Sequence, residues 1–431
     1  MQHDWGCCAG LAHESAINAG FLQPGQFVTD VNSQPRPMSR AAMVLAAGFV
    51  LTLFGGGSRF VIGLVLKPVV DELCWPRSYL GIAVGLYFVV TAVCTFYAGK
   101  LADRVSFRIL FGAGLAVSGV GVGLMGFMTE PWHALVLYGV IFAIGNGAVS
   151  TPPVGVMVTR AFPGRTGLAN SLVLSGMTIG QLVMVAILSL VLVAIGWRSV
   201  FFWIGLAHAA LLIVVLPAIP AKPTAQAIAA APRREGMTLK QAMQTRQFWM
   251  LCVIFAVCGL DDFFVTTHVV AFAQDRGVVP LIAGYLFAVM GLTGFVGVIS
   301  AGLWGDRAGP VWPTAAAFAV RIAVFALIVV DQSPLSITIF CLAFGLTFLV
   351  TAPLTVLFVR DAFGMANLGA ISGVITMVHM VFGGIGAYAG AAIFDRSGRY
   401  DLAFVIVLVA TVVALVLMMC LDRGHAVRPA S

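Results

Sequence analysis

Charged side chains are scarce in this chain. Of its 431 residues only 10% are Asp, Glu, Lys or Arg, whereas 60% are hydrophobic and the mean hydropathy is +1.02. A soluble domain typically carries about 25% charged residues, so this composition excludes a soluble protein of this length. Most of the surface must therefore face lipid.

Sequence motifs of several other protein classes are missing as well. The eight cysteines show neither metal-ligand spacing nor a disulfide framework, and most fall inside apolar runs, where they serve as small apolar side chains. Phosphate-binding loops, catalytic triads and zinc motifs are absent from the sequence. We therefore expect no enzymatic activity, no cofactor and no metal site.

The chain begins with a polar stretch and continues with twelve apolar segments. Residues 1–40 lack the apolar core of a signal peptide, and we predict a disordered cytoplasmic tail. Each apolar segment approaches or exceeds the roughly 20 residues that span a bilayer. Lipid offers the backbone no hydrogen bonds, and the segments do not alternate as barrel strands do, so we predict helices. The segments are 41–66, 79–99, 109–128, 132–159, 168–196, 199–219, 247–273, 281–304, 313–330, 335–359, 369–393 and 401–421.

The segments form two sets of six. The first set gives an N-terminal half at residues 41–219, and the second gives a C-terminal half at 247–421. A linker at 220–246, rich in Ala, Pro and basic residues, joins them and could begin a surface helix near Leu239. Residues 422–431 form a second predicted cytoplasmic tail.

Lys and Arg are distributed unevenly between the two predicted faces. With both termini inside, 16 of the 24 basic residues fall in inner segments and 6 in outer loops. This bias predicts a multi-pass protein of the cell inner membrane with both termini cytoplasmic. It also accounts for the formal net charge of +7, so the charge gives no indication of nucleic-acid binding. The remaining two, Arg59 and Arg321, lie within apolar segments.

A short basic turn occurs twice, once in each half. The stretch Gly99–Arg108 joins the second and third segments, and a weaker copy occupies Gly302–Gly309. Their aspartates, Asp103 and Asp306, are 203 residues apart, close to half of the chain. This period predicts one six-helix unit built twice, which gives an all-α membrane fold of two pseudo-symmetric six-helix bundles.

The residues Gly99–Arg108 resemble the signature loop between helices 2 and 3 of the major facilitator superfamily, although Ser106 stands where that loop usually has glycine. Two further tracts resemble the monocarboxylate and oxalate/formate branch of the superfamily. The first contains Thr151-Pro152-Pro153, Arg160, Arg165-Thr166-Gly167-Leu168-Ala169, Gly176 and Gly180. The second contains Phe363-Gly364, Leu368-Gly369, Gly373, Gly383-Gly384, Gly386, Gly390, Phe394-Asp395, Gly398 and Tyr400-Asp401. The resemblance covers about residues 41–421.

The resemblance implies a carrier whose halves rock around a central site, lined by helices 1, 4, 7 and 10 with parts of 2, 5, 8 and 11. It also implies that the signature loop and its repeat act as a gate. The gating candidates are Gly99, Asp103, Arg104, Arg108, Asp306 and Arg307. Asp103 begins helix 3, where its charge meets the positive end of the helix dipole. Arg104, Arg108 or Arg160 is its expected partner; the alternative role is topology marking with helix capping.

Arg59 is the strongest substrate-binding candidate, because ionisable groups at membrane depth are costly and mark functional sites. Its guanidinium can bind a carboxylate through two hydrogen bonds. The preceding Gly55-Gly56-Gly57 allows close approach of a ligand or a local break in helix 1. The alternative is a buried structural anchor, which is also the role we expect of Arg321 on scaffold helix 9.

Helix 7 carries the candidates for proton coupling. The 203-residue offset aligns Arg59 with Asp262, and we hypothesise that the two pair in the empty site until a proton on the aspartate frees the arginine. Asp261 competes with Asp262 for this role, and His268 either relays protons or is a satisfied buried histidine. Further substrate-binding candidates are Asn146, Tyr285, Thr351 and His379, each of which can instead hydrogen-bond between helices.

These observations favour a secondary transporter that takes up a small organic anion, such as a monocarboxylate, with protons. One alternative is an efflux antiporter for amphipathic compounds, in which Asp261 or Asp262 exchanges protons and Arg59 is structural. Uptake of a larger anionic metabolite such as a vitamin is another, and a non-transporting membrane sensor is a third. We expect a monomer whose partners are its substrate, protons and lipid.

Overall fold

The structure is a computed structural model and describes residues 40–102, 105–162, 166–219 and 236–425. Within them, eleven helices are long and apolar enough to cross a membrane. One of these, Leu172–Ala218, contains Gly196, whose φ of 80° and ψ of 170° are not helical, so two helices join there. The described residues therefore contain twelve helices that can cross a membrane, and the predicted all-α membrane fold is confirmed. The predicted N-terminal tail, most of the linker and the end of the C-terminal tail lie outside the described residues.

The helices follow the predicted order, and most of them have longer bounds than predicted. The first half consists of helix 1 (Arg40–Ser58 and Val61–Leu73), helix 2 (Arg77–Leu101), helix 3 (Phe107–Leu124), helix 4 (Pro131–Ala134, Leu135–Phe142, Ala143–Ala148 and Thr151–Ala161) and helices 5 and 6 (together Thr166–Val215). A short helix, Leu239–Ala242, precedes the second half, as the linker sequence predicts. The second half consists of helix 7 (Arg246–Asp275), helix 8 (Pro280–Ala308), helix 9 (Val311–Val330), helix 10 (Pro334–Thr347 and Thr351–Phe363), helix 11 (Leu368–Ser397) and helix 12 (Asp401–His425).

Helices 1, 4 and 10 are broken near their middle. Helix 1 breaks directly after its three glycines, where the sequence allows it. The last part of helix 4, Thr151–Ala161, has two prolines in its first turn. The first turn of a helix tolerates proline because its backbone amides have no hydrogen-bond partner within the helix. In helix 10 the break passes through Leu349, whose φ is 60°. Broken helices place free backbone groups at membrane depth, where they must line a cavity or find a side-chain partner.

The apolar core shows which end of the bundle is closed. We call the end at which helix 1 passes to helix 2 the predicted outer end, after the charge bias, and the opposite end the predicted inner end. One large core at the predicted outer end combines side chains of both halves. At the predicted inner end, each half has a separate core of its own. Among the described residues, the halves are therefore packed together at the predicted outer end and separated at the other.

Glycines along helix 2 show the same difference in packing between the two ends. A Cβ on Gly81 would lie 2.8 Å from the Ala391 side chain of helix 11, and one on Gly85 would lie 3.3 Å from the Gly384 carbonyl. A Cβ on Gly99, at the predicted inner end of the same helix, would meet no described atom within 4 Å. Helices 2 and 11 thus diverge toward the predicted inner end.

Candidate functional site

Arg59 occupies the break in helix 1. Its carbonyl accepts a hydrogen bond of 2.9 Å from the Tyr138 hydroxyl of helix 4, which holds the broken backbone. Its guanidinium lies over the rings of Phe60 and Phe263, at 4.7 and 5.4 Å from their centroids. Nε and Nη2 of Arg59 are buried and have no hydrogen-bond partner among the described residues. An arginine that stays charged and keeps free donors in such a place can bind an anion.

A narrow cavity surrounds this guanidinium between the two halves. Arg59 and two threonines give it a polar side, and the other walls are aromatic or aliphatic. Its lining residues are Arg59, Phe60, Ile62, Val84, Phe88, Tyr138, Phe263, Thr266 and Thr267. The space holds little more than a water molecule in this conformation, so a substrate requires the halves to move apart.

A buried ionic cluster lies next to this cavity, on helices 7 and 9. Arg321 Nη2 lies 2.6 Å from Asp262 Oδ1, and Arg321 Nη1 lies 3.6 Å from Asp261 Oδ2. All three side chains are at most 1% exposed. Two carboxylates thus share one guanidinium in a site without water contact, which is stable only with well-placed partners.

Helices 10 and 12 supply those partners. The break in helix 10 frees the Thr347 carbonyl, which accepts a 3.0 Å hydrogen bond from Arg321 Nη2, while the Thr347 hydroxyl accepts one of 3.1 Å from Nε. The Thr411 hydroxyl of helix 12 donates to Asp261 Oδ2 at 2.9 Å. Asp261 Oδ1 has no hydrogen-bond partner among the described residues. The cluster therefore joins helices 7, 9, 10 and 12.

The hypothesis that Arg59 pairs with Asp262 is wrong for this conformation, because Asp262 is paired with Arg321. The 203-residue offset relates positions along two helices, but it does not determine which way each side chain points. Arg321 is buried as predicted, yet it is the counter-ion of both aspartates rather than an isolated anchor. The sequence did contain a signal: two adjacent aspartates in one membrane helix need a buried cation, and Arg321 is the only other basic residue of the apolar segments besides Arg59.

His379 of helix 11 lies between the ionic cluster and the cavity. Its Nε2 is 3.8 Å from Asp262 Oδ2, and its Nδ1 is 3.2 Å from the Phe255 carbonyl. Its ring packs edge-on against the cavity wall Phe263, with centroids 5.4 Å apart. The structure thus brings this sequence candidate beside Asp262. Atoms of Cys258, Asp262 and His379 lie within 4.8 Å of one another, but the adjacent Arg321 guanidinium opposes a metal cation there.

His268 lies away from that cluster, at the predicted outer end. One ring nitrogen, Nε2, is 2.8 Å from the Ala387 carbonyl, and Nδ1 is 3.0 Å from the Tyr400 hydroxyl. Burial raises the pKa of Tyr400, so its hydroxyl keeps a proton to donate to Nδ1. That hydroxyl accepts a 2.7 Å hydrogen bond from Arg77. Both nitrogens of a neutral His268 are therefore satisfied, which fits the structural alternative rather than a relay.

An ionic network closes the predicted outer end around His268. Arg77 of helix 2 lies 2.8 Å from the Asp275 carboxylate at the end of helix 7, and Lys67 of helix 1 lies 3.0 Å from it. The backbone amides of Arg77 and Ser78 each donate to Asp395 of helix 11 at 2.8 Å. Every one of these contacts joins the N-terminal half to the C-terminal half.

Most gating candidates of the predicted inner end make no such contact. Asp103 and Arg104 lie outside the described residues. Arg108 was one of three residues predicted as possible partners of Asp103. Its guanidinium donates to the carbonyls of Ile219 (2.6 Å) and Pro217 (3.1 Å), where it caps the end of helix 6. Its long fork reaches those free terminal carbonyls, which the sequence alone did not place nearby. Residues Asp306 and Arg307 are exposed at the end of helix 8.

Of the three other substrate-binding candidates, Asn146 and Thr351 make contacts between helices, whereas Tyr285 is exposed. Asn146 accepts from Tyr87 at 2.9 Å and donates to the Gly55 carbonyl at 2.8 Å, so it ties helices 1, 2 and 4 together. Thr351 lies 3.4 Å from Cys258 Sγ, next to the ionic cluster. Tyr285 is 37% exposed near the start of helix 8 and does not line the cavity, in contrast to its predicted role.

Comparison with known proteins identifies the family. A model of the Major Facilitator Superfamily matches residues 48–387. The chain belongs to the major facilitator superfamily. Members of this superfamily are membrane transporters, so the chain is a multi-pass transporter that binds a small molecule within the bilayer. The predicted resemblance to the superfamily is thereby confirmed.

This major facilitator transporter is similar in sequence to two relatives along most of its length. It is 23% identical over 401 residues to the uncharacterized MFS-type transporter YcxA of Bacillus subtilis, covering 89% of this chain and 96% of that protein. It is 24% identical over 297 residues to monocarboxylate transporter 13 of Bos taurus, covering 67% and 68%.

Solved structures share the fold. A bacterial homolog of the human lysosomal transporter Spinster, in an inward-facing and unoccupied conformation, superposes with a TM-score of 0.73 at 15% identity and covers 90% of this chain and 98% of its own. The nucleoside transporter NupG (D323A mutant) gives a TM-score of 0.74 at 12% identity, covering 89% and 99%.

Proposed function

We propose that this transporter takes up a small organic monoanion together with protons, and that Arg59 binds the anion. The observation that carries the proposal is the Arg59 guanidinium, which lies in the central cavity at a helix break with two buried nitrogens free to donate. A carboxylate placed there would satisfy both donors at once. The likeness to monocarboxylate transporter 13 agrees with this substrate class.

The walls of the cavity add a second requirement for the substrate. Phe60, Phe88 and Phe263 border the guanidinium, and among the described lining residues Arg59 alone carries a charge. A second carboxylate on the substrate would be buried without a partner, and its free energy there would be much less favourable than in water. The site therefore suits a monoanion with an apolar body.

The sidedness of the carrier follows from its charge bias. With the basic loops inside, the closed end is extracytoplasmic and the separated end faces the cytoplasm, which makes this conformation the one that releases substrate inward. Asp261 and Asp262 provide buried carboxylates that can carry the coupled proton.

The experiment is proton flux in proteoliposomes that contain an internal pH dye. We expect one or more apolar monocarboxylates to acidify the interior and Arg59→Ala to abolish the response. Arg360→Ala is the matched control, since that arginine is exposed and pairs with the adjacent Asp361. Lipophilic cations that drive protons outward, with carboxylates inert, would replace the proposal with the efflux antiporter, which the aromatic walls would also accommodate. A response only to bulky anions would favour a larger metabolite.

A further inference from the structure

The protonation of His379 follows from its neighbours. Its Nδ1 lies 3.2 Å from the Phe255 carbonyl, and a carbonyl only accepts hydrogen bonds, so Nδ1 must carry the hydrogen. In a neutral imidazole the other nitrogen, Nε2, is then an acceptor. Nε2 faces Asp262 Oδ2 at 3.8 Å, and a carboxylate oxygen is an acceptor as well. Two lone pairs face each other, and one added proton turns this repulsion into an attraction.

The charge of the ionic cluster favours the binding of one proton at the same place. Arg321 contributes one positive charge, and Asp261 and Asp262 contribute two negative charges in a site that water does not reach. An uncompensated charge in such a place is expensive. One proton makes the cluster neutral, and the space between Asp262 and His379 is where it can be held by two atoms.

Access to the cavity distinguishes Asp262 from Asp261. The Asp261 side chain is fully buried against Thr411 of helix 12, on the far side from the cavity. His379 is 13% exposed, and its ring touches Phe263, which is a wall of the cavity. A proton that travels with the substrate must reach the cavity, and the His379 edge of the cluster contacts Phe263, one of the residues that line it.

We propose that Asp262 and His379 together hold the transported proton, with Arg321 and Asp261 as a fixed ion pair behind them. The inference rests on the proposed function, since it names the proton site of that same carrier. Phe263 separates the two sites: its ring lies 5.4 Å from the Arg59 guanidinium and 5.4 Å from the His379 ring. A proton at His379 adds positive charge beside the anion, so each favours the other, typically by about 5- to 150-fold for such couplings.

The surrounding groups set the pH response of the pair. The charged or titratable groups that face it are Cys258 and Asp261 of helix 7, Arg321 of helix 9 and Arg59 of helix 1, while helices 10 and 12 add the hydroxyls of Thr347, Thr351 and Thr411. In the transport step one proton binds between Nε2 and Oδ2 as the anion binds Arg59. Both leave together, so one proton moves with each negative charge.

The test compares two modes of transport in His379→Gln and Asp262→Asn. Exchange of labelled for unlabelled anion needs no net proton movement, whereas accumulation driven by a pH gradient does. At saturating anion, where the weaker affinity expected of both variants has no effect, we expect both to retain exchange within about threefold and to lose accumulation. His208→Gln is the control, because His208 is buried on helix 6 with Nδ1 on the Ile204 carbonyl and has no part in the cluster.

The results that would overturn this inference differ from those that would overturn the proposed function. Accumulation that survives in both variants, or that is lost only in Asp261→Asn, overturns the inference while the proposed function stands. If wild-type protein shows no exchange with any carboxylate, the proposed function fails instead. A measurement on wild-type protein is independent of the variants: ¹⁵N NMR of the histidines in detergent should show that Nε2 of His379 becomes protonated or hydrogen-bonded when the carboxylate is added at neutral pH. An Nε2 that stays unprotonated at saturating carboxylate would overturn the inference.

Discussion

The Arg77 guanidinium of helix 2 lies 2.8 Å from the Asp275 carboxylate of helix 7 and joins the two halves of the transporter. Lys67 shares the same carboxylate at 3.0 Å. Asp275 is therefore the acceptor on which two cations of the N-terminal half converge. A carrier that alternates its access must break these contacts whenever the predicted outer end opens.

Asp275→Asn should favour opening of the predicted outer end. The amide keeps the shape of the side chain but loses the charge that attracts both cations. Because Asp275 is 21% exposed, we expect a shift of about 1 kcal/mol, or about fivefold in the open population. The measurement is the labelling rate of a single cysteine at the cavity position Val84 by an impermeant thiol reagent, in a chain freed of its own cysteines.

Glu72→Gln provides the matched control for this prediction. Glu72 lies at the same end and pairs with Arg198 at 3.1 Å, but both residues belong to the N-terminal half. Its loss should leave the labelling rate unchanged. An equal increase in both variants would mean that charge at this end, rather than the contact between the halves, determines opening.

Gly63→Ala should hinder closure of the predicted outer end by sterics alone. A Cβ on Gly63 of helix 1 would lie 2.2 Å from the Thr266 carbonyl of helix 7, in the opposite half. Overpacking of this kind typically costs about 1–3 kcal/mol, and here the cost falls only on the closed state. Distances between spin labels at Thr129 and Leu335 should gain a longer component. Gly302→Ala, whose Cβ would meet no described atom within 4 Å, should leave the distances unchanged.

The sequence predicted the fold, because lipid forces apolar segments into helices, and it allowed a break in helix 1, because three glycines precede Arg59. It did not predict the pairing of Arg321. Helix 9 was assigned to the scaffold, and the break in helix 10 that frees the Thr347 carbonyl for this arginine arises at Leu349, an ordinary apolar residue in the sequence. Side-chain direction in a bundle depends on how neighbouring helices rotate, and a one-dimensional repeat does not contain that information.

Arg321→Met should destabilise the transporter severely. The substitution leaves Asp261 and Asp262 buried without their cation, and breaking a buried ion pair from one side typically costs about 3–5 kcal/mol. Thermal unfolding in detergent measures the effect. Arg360→Met should cost under about 1 kcal/mol, since that pair is exposed to solvent.

Neutralising the whole cluster tests the cause of that destabilisation. In Arg321→Met combined with Asp261→Asn and Asp262→Asn, none of the three charges of the cluster remains, so part of the lost stability should return. If the triple variant is no more stable than Arg321→Met, the arginine acts through its packing and its bonds to Thr347 rather than through its charge.

The composition of the cavity predicts which anions compete for the site. Arg59 offers one positive charge, and the opposing walls are apolar, so benzoate should compete at a concentration at least about tenfold lower than succinate, whose second carboxylate would lack a partner. Phe88→Ala removes part of the apolar wall and should weaken benzoate more than acetate, by about tenfold, since burial of an aromatic body contributes about 1.5–3 kcal/mol. The control Phe127→Ala alters a side chain that is 68% exposed and does not line the cavity, and it should change neither. Equal competition by succinate and benzoate would show that the anion does not rest against these walls.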